Sequence, residues 1–254
     1  MRNLLFTIRY DGSSFHGWQV QNNALTVQEV FQTAVSEIIS SCPDIKGCSR
    51  TDSGVHANMF CISMKTEHSI PCERFLAAIN SHLPDTVACL KVEEVPLDFH
   101  ARYSALGKRY VYKVHNSPVK DPFLRDRALR YRRPIDELML NKSAQDFVGK
   151  HDFTSFCTLD KREKGDFVRT VKEFKVWREG DMVYFSVTAD GFLYNMVRIM
   201  VGTLLYINEN PAEKDSIPKI FSEKNRAFAG PTAPAMGLYL DKVFYPKIRE
   251  EDMT

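Results

Sequence analysis

The sequence predicts an α+β fold made of two halves of similar make-up. Three observations carry that prediction. Apolar runs of strand length alternate along the chain with longer stretches of helical periodicity. The same mixture of strands and helices recurs in a similar order in each half, without a sequence repeat between them. No low-complexity linker separates the halves, so they are expected to share one continuous sheet, with a boundary near residues 98–107. With 254 residues, 44% of them hydrophobic, the chain can bury a sizeable core, either in one large domain or in two intimately packed halves.

Residues 4–10 form the first expected strand. Residues 26–40 are the clearest helix. Thr26 and Glu29 make a capping box, and Val27, Val30, Phe31, Ala34, Val35, Ile38 and Ile39 line one apolar face. Strands follow at 59–65 and 87–94, with a helix at about 73–82 between them that Leu83-Pro84 stops. In the second half, strands are expected at 109–115, 168–177, 182–189 and 238–245, and helices at 136–148 and 192–207.

Composition narrows the function classes. The N-terminus reads as a strand rather than a secretory signal. The most apolar window, 196–207, is too short to cross a bilayer and contains Arg198. A cytoplasmic protein is expected. The six cysteines show no Cys-x-x-Cys pair, and no two of the seven histidines have the i, i+4 spacing of a metal-binding helix. No metal or other cofactor is therefore expected, and the cysteines read as reduced packing residues. The net charge is only +2, but basic residues cluster. Arg125, Arg127, Arg130, Arg132 and Arg133 surround Tyr131, Lys108 and Arg109 precede Tyr110, and Lys161, Arg162 and Lys164 form a third group. Such clusters suit a phosphate backbone with exposed bases, and equally suit a solvated face.

One loop carries chemistry. Residues 47–57 crowd Arg50, Thr51, Asp52, Ser53, Gly54 and His56 between a helix and a strand. Arg50 is close enough in sequence to pair with Asp52 and favour its ionised form, which a nucleophile needs. A turn holding a structural ion pair fits the same residues.

The loop resembles the active-site motif of tRNA pseudouridine synthases of the TruA type, and the resemblance runs through nearly the whole chain in order. It includes Tyr10-Asp11-Gly12, Phe15-His16-Gly17-Trp18-Gln19, Phe99-His100-Ala101-Arg102, Lys108-Arg109-Tyr110-Val111-Tyr112, Met196-Val197-Arg198 and the run from Ala229 to Leu240. The resemblance implies the pseudouridine synthase fold: two ferredoxin-like α/β halves sharing a largely antiparallel mixed sheet. Residues 1–100 would carry the aspartate loop, and 101–254 would complete the cleft. It implies that Asp52 is the nucleophile, that Arg50 and Arg198 are active-site arginines, and that Tyr110 meets the target base. It implies a homodimer binding tRNA, acting on the 3′ side of the anticodon stem and loop (tRNA positions 38, 39 and 40). Two residues depart from the family pattern: Ser49 where glycine is usual, and Phe60 where glutamine is common.

The expected reaction agrees with the lack of cofactor motifs. Uracil leaves the sugar through N1, turns, and rejoins through C5, with no change in oxidation state. A plain RNA-binding module would keep the basic and aromatic residues without needing Asp52 beside Arg50. A glycosidase-like hydrolase would need a second carboxyl group near the nucleophile, and the 50–57 loop has none.

Overall fold

The computed structural model describes residues 1–159 and 165–247. In chain order the elements are β1 (Arg2–Tyr10), α1 (Val27–Ile39), β2 (Ile45–Gly47), β3 (His56–Thr66), α2 (Cys72–His82), β4 (Val87–Val95), β5 (Gly107–Asn116), β6 (Leu129–Tyr131), α3 (Glu137–Ala144), β7 (Gly149–Asp152), β8 (Val168–Glu179), β9 (Met182–Ala189), α4 (Met196–Glu209), α5 (Ile217–Glu223) and β10 (Leu238–Phe244). Two compact units result. The first spans Met1–Leu106 and takes back the C-terminal strand from Tyr239; the second spans Gly107–Leu238. The C-terminal strand was expected in the second half, yet Tyr239 and Leu240 of β10 pair in parallel with His56 and Ala57 of β3.

In the first unit β1 lies between β3 and β4, antiparallel to both, and the short β2 pairs antiparallel with β3. The order β4-β1-β3-β2, with α1 after β1 and α2 after β3, is the ferredoxin-like arrangement. Its core forms because β1 buries Leu4, Phe6 and Ile8 on one face while α1 turns Val27, Phe31, Ala34 and Val35 inward. Phe6 meets Phe31 and Phe75 edge-on, each at 5.3 Å between ring centroids, which ties β1 to both helices. Thr26 caps α1 by accepting from the Glu29 N–H at 3.3 Å, and Ser40 closes it in a left-handed conformation.

In the second unit β9 lies between β5 and β8, antiparallel to both; β7 extends the far edge and β6 adds in parallel to β5. The string β5-α3-β8-β9-α4 repeats the β-α-β-β-α order of the first unit, with the same spatial order of its three strands. The fold class is α+β, as expected, and the sheets are mixed but largely antiparallel. Both expected helices of this unit begin or end differently. The one predicted at 136–148 is capped by Asp136 but ends at Ala144, and a 3₁₀ turn (Gln145–Phe147) swings Phe147 into the core, edge-on to Phe156 at 4.9 Å. The one predicted at 192–207 starts at Met196, because Asn195 takes a left-handed conformation (φ 60°) and leaves Phe192 outside the helix. α4 is buried on nearly every side, from Met196 to Ile207. Among the described residues no helix is long and apolar enough to cross a membrane.

Candidate active site

The aspartate loop lies between β2 and β3, and the chain's own opening segment holds it in place. Thr51 is buried, and its hydroxyl shares a 2.8 Å hydrogen bond with the hydroxyl of Tyr10 at the end of β1. The Thr51 carbonyl accepts from the Trp18 N–H at 3.1 Å. The Gly54 N–H donates to Phe15 O at 3.2 Å, and the Val55 N–H donates back to Asp52 O at 3.2 Å, closing a tight turn. Gly17 makes this clamp possible: it has φ +81°, and a Cβ there would lie 2.4 Å from the Thr51 carbonyl oxygen. Further along, the buried His56 ring accepts from the Gly12 N–H through Nδ1 at 3.0 Å and stacks on Tyr239 at 4.5 Å.

Thr51 points inward, so its neighbours face elsewhere. Asp52 is half-buried and Arg50 is exposed. The expected Arg50–Asp52 ion pair is not found among the described residues. The clamp on Thr51, rather than Arg50, fixes the backbone that carries Asp52. Because Arg50 is exposed, its removal does not strand a buried charge.

Tyr10 and Trp18 are buried supports. Trp18 stacks on Phe60 at 4.3 Å with 30° between planes, and Phe60 also meets Tyr10 at 5.8 Å. Phe60 is fully buried, so it acts beneath the loop rather than on its surface. Sequence reasoning had marked the Tyr10–Gln19 motifs but missed their task of holding the loop, since the contacts span about forty residues of chain.

The second unit holds the other two expected site residues. Tyr110 projects from β5, opposite Val187 of β9, and meets Phe192 edge-on at 5.0 Å. That contact exists because Phe192 lies outside α4. Arg198, on the first turn of α4, is half-buried and shaped by its neighbours: Nε donates to Ala233 O at 2.8 Å and Nη1 to Asn195 Oδ1 at 2.7 Å. Its own carbonyl accepts from the Ala233 N–H at 3.0 Å. Gly202, one turn on, lets this loop approach, since a Cβ there would lie 1.7 Å from Pro231 O. Tyr112 is a buried support whose hydroxyl donates to Pro234 O at 2.7 Å. Burial pushes its phenol far above the ordinary range, against the opposing pull of the Arg198 charge.

The basic clusters have mixed surroundings. Arg133 pairs with Glu209, which also accepts from the Tyr131 hydroxyl, and Arg130 donates to Pro118 O, while Arg125 and Arg127 are exposed. Lys161, Arg162 and Lys164 lie outside the described residues. Of the six cysteines, all free, four are buried, Cys72 is half-buried and Cys42 is exposed.

A family model described as tRNA pseudouridine synthase matches residues 7–104 and 143–246. The chain belongs to the tRNA pseudouridine synthase family. A relative from Ruminiclostridium cellulolyticum, tRNA pseudouridine synthase A, is 43% identical over 96% of this chain and all of its own length. The proteins of that name from Acetivibrio thermocellus and Moorella thermoacetica are 42% and 43% identical, over 96% and 95% of this chain and 100% and 99% of theirs. A solved structure, a Cbf5-Nop10-Gar1 complex, aligns at 12% identity and a TM-score of 0.36 over 79% of this chain and 53% of its own, too distant to add to the assignment. As a tRNA pseudouridine synthase the protein is an isomerase that converts uridine to pseudouridine in tRNA.

Proposed function

We propose that this tRNA pseudouridine synthase acts on the 3′ side of the tRNA anticodon arm, as a cytoplasmic homodimer, with Asp52 as its nucleophile. The observation that carries the reading is the clamp on the aspartate loop: Thr51 is held by Tyr10 and Trp18 on one side of Asp52, and Gly54 by Phe15 on the other. A carboxylate held on both flanks is preorganised to work without help from a cofactor. The Asp52 carboxylate assists breaking of the bond between uracil N1 and its sugar carbon. The freed ring turns, C5 bonds to the sugar carbon that N1 left, the C5 proton departs and N1 takes up a proton, so the product is an isomer of the substrate. Tyr110 receives the target base. Stacking on such a ring contributes about 1–3 kcal/mol, which offsets the few kcal/mol needed to take a uridine out of its stack. Arg50 and Arg198 supply the positive charge that the RNA strand and the departing uracil require. The half with residues 1–100 brings the nucleophile, and the half with 101–254 brings Tyr110 and Arg198.

The test is incubation of purified protein with unmodified transcribed tRNA, without added cofactor, and mapping of pseudouridine at every position. Wild type is expected to modify the anticodon arm. Asp52→Asn is expected to bind the same tRNA with unchanged affinity and form no pseudouridine. Modification by Asp52→Asn at the wild-type rate would remove Asp52 from its role.

A further inference from the structure

Beside the aspartate loop, within the first unit, lies a cleft of about 370 Å³ that shares only Arg50 with the reaction as described. Its firm wall is Trp18, which packs so closely on Gly47 that a Cβ there would lie 2.6 Å from the indole. Its rim is basic. Lys46, Arg50 and Arg102 all line it and are exposed, against one carboxylate, Asp44, already bound to Lys46 at 2.7 Å. At the mouth stands Tyr103, 77% exposed, with its ring 4.4 Å from that of His100 and the Arg102 guanidinium 5.8 Å from its centre. His100 Nδ1 accepts from the Arg102 and Tyr103 N–H groups, which fixes the turn that presents both side chains. Burial lowers the His100 pKa, and Lys46 and Arg102 lower it further, so the cleft's positive potential is borne by permanent cations.

A basic rim with an exposed aromatic at its mouth is the chemistry of a single-stranded nucleotide site. Arg50 is two residues from Asp52, so their Cα atoms are at most about 7.6 Å apart, within one nucleotide step of the nucleophile. We propose that this cleft holds the nucleotide next to the target uridine, with its phosphate at Arg50 and Arg102 and its base against Tyr103. This rests on the functional reading above, because only an RNA strand reaching Asp52 delivers a neighbour here. It also gives the two departures from the family pattern a shared place. Ser49 lines the cleft, and Phe60 stacks beneath its Trp18 wall. Both positions therefore lie where the flanking nucleotide is received.

The experiment uses full-length protein and an anticodon-arm RNA carrying 4-thiouridine at one position at a time on either side of the target. Irradiation is expected to cross-link the flanking position, and no distant one, to the peptide containing Tyr103. Tyr103→Ala and Arg102→Gln are expected to raise KM about tenfold each while kcat changes less than about threefold. Tyr103→Phe keeps the ring and is expected to keep the KM. Arg102→Gln also lowers the slope of log Kd against log salt by about one. Unchanged KM and salt slope, or cross-links elsewhere, with wild type still forming pseudouridine, overturn the cleft assignment and leave the reaction standing. Failure of the wild type to form pseudouridine in any tRNA overturns the reaction and the cleft assignment together.

Discussion

The hydroxyl pair between Tyr10 and Thr51 is the most direct handle on how the catalytic loop is held. Both side chains are under one-tenth exposed, and their oxygens are 2.8 Å apart. Tyr10→Phe keeps the ring against Phe60 and removes only the hydroxyl, leaving the Thr51 oxygen buried without that partner. Such a loss costs about 1–3 kcal/mol. For a chain of this size that is a fall in Tm of roughly 4–8 °C at the middle of the range. Thr51→Val removes the same bond from the other side and should cost a similar amount. The double variant strands neither, so its loss should fall short of the sum of the singles by about 1 kcal/mol or more. Activity gives the second readout. Freed from Tyr10, the loop shifts, and a displacement near 1 Å at a reacting group lowers turnover about a hundredfold. Measured well below Tm, kcat on anticodon-arm RNA should therefore fall by about ten- to a hundredfold, with little change in KM. Strictly additive stability losses, or full kcat in Tyr10→Phe, would show that this bond does not position Asp52.

Three further outcomes follow from the same geometry. Phe60→Gln, which installs the residue common in the family, should lose about 3–5 kcal/mol in chemical denaturation, because a fully buried ring between Trp18 and Tyr10 is replaced by an amide; a stable variant would mean that the Trp18 wall repacks freely. Gly202→Ala should cost about 1–3 kcal/mol and lower kcat, since its methyl group displaces Pro231 and with it the Ala233 contacts of Arg198; Gly165→Ala, where a Cβ would meet none of the described residues within 4 Å, is the control expected to be neutral. Alkaline pH should destabilise the fold. Burial pushes the Cys89 thiol from 9.0 up to about 12, and burial with a hydrogen bond to Glu209 pushes Tyr131 from 10.0 up to about 12. From about pH 9 the unfolded chain loses protons that the folded chain keeps, so stability should fall as pH rises toward about 12. A Tm that stays flat between about pH 8 and pH 11, or a Cys89→Ala variant with an unaltered slope, would contradict this.

Periodicity was legible wherever an element was long enough to show it. α1 and β9 emerged with their caps or ends nearly in place, since a strong apolar face or a clean strand run needs no distant help. β2, β6 and β7 have three or four residues each and owe their pairing to neighbours rather than to any pattern of their own. The start of α4 was misplaced by four residues because one asparagine takes a left-handed conformation, a choice that apolar spacing does not register. At the candidate site, Asp52 stood out through its motif, whereas the exposure of Arg50 did not. That outcome depends on Thr51 turning inward toward a tyrosine contributed by β1, and the local sequence of the loop carries no sign of that partner.

The parallel pairing of β10 with the start of β3 also bears on when the protein becomes competent during synthesis. His56 and Ala57, which follow the aspartate loop directly, gain their neighbours Tyr239 and Leu240 only once about 180 further residues have been translated. A nascent chain still short of residue 239 has every residue of the loop yet lacks the strand and the ring that back it. A product ended before residue 239 therefore keeps the clamp from Tyr10, Phe15 and Trp18 but lacks the strand and ring that hold His56 and Ala57 behind it.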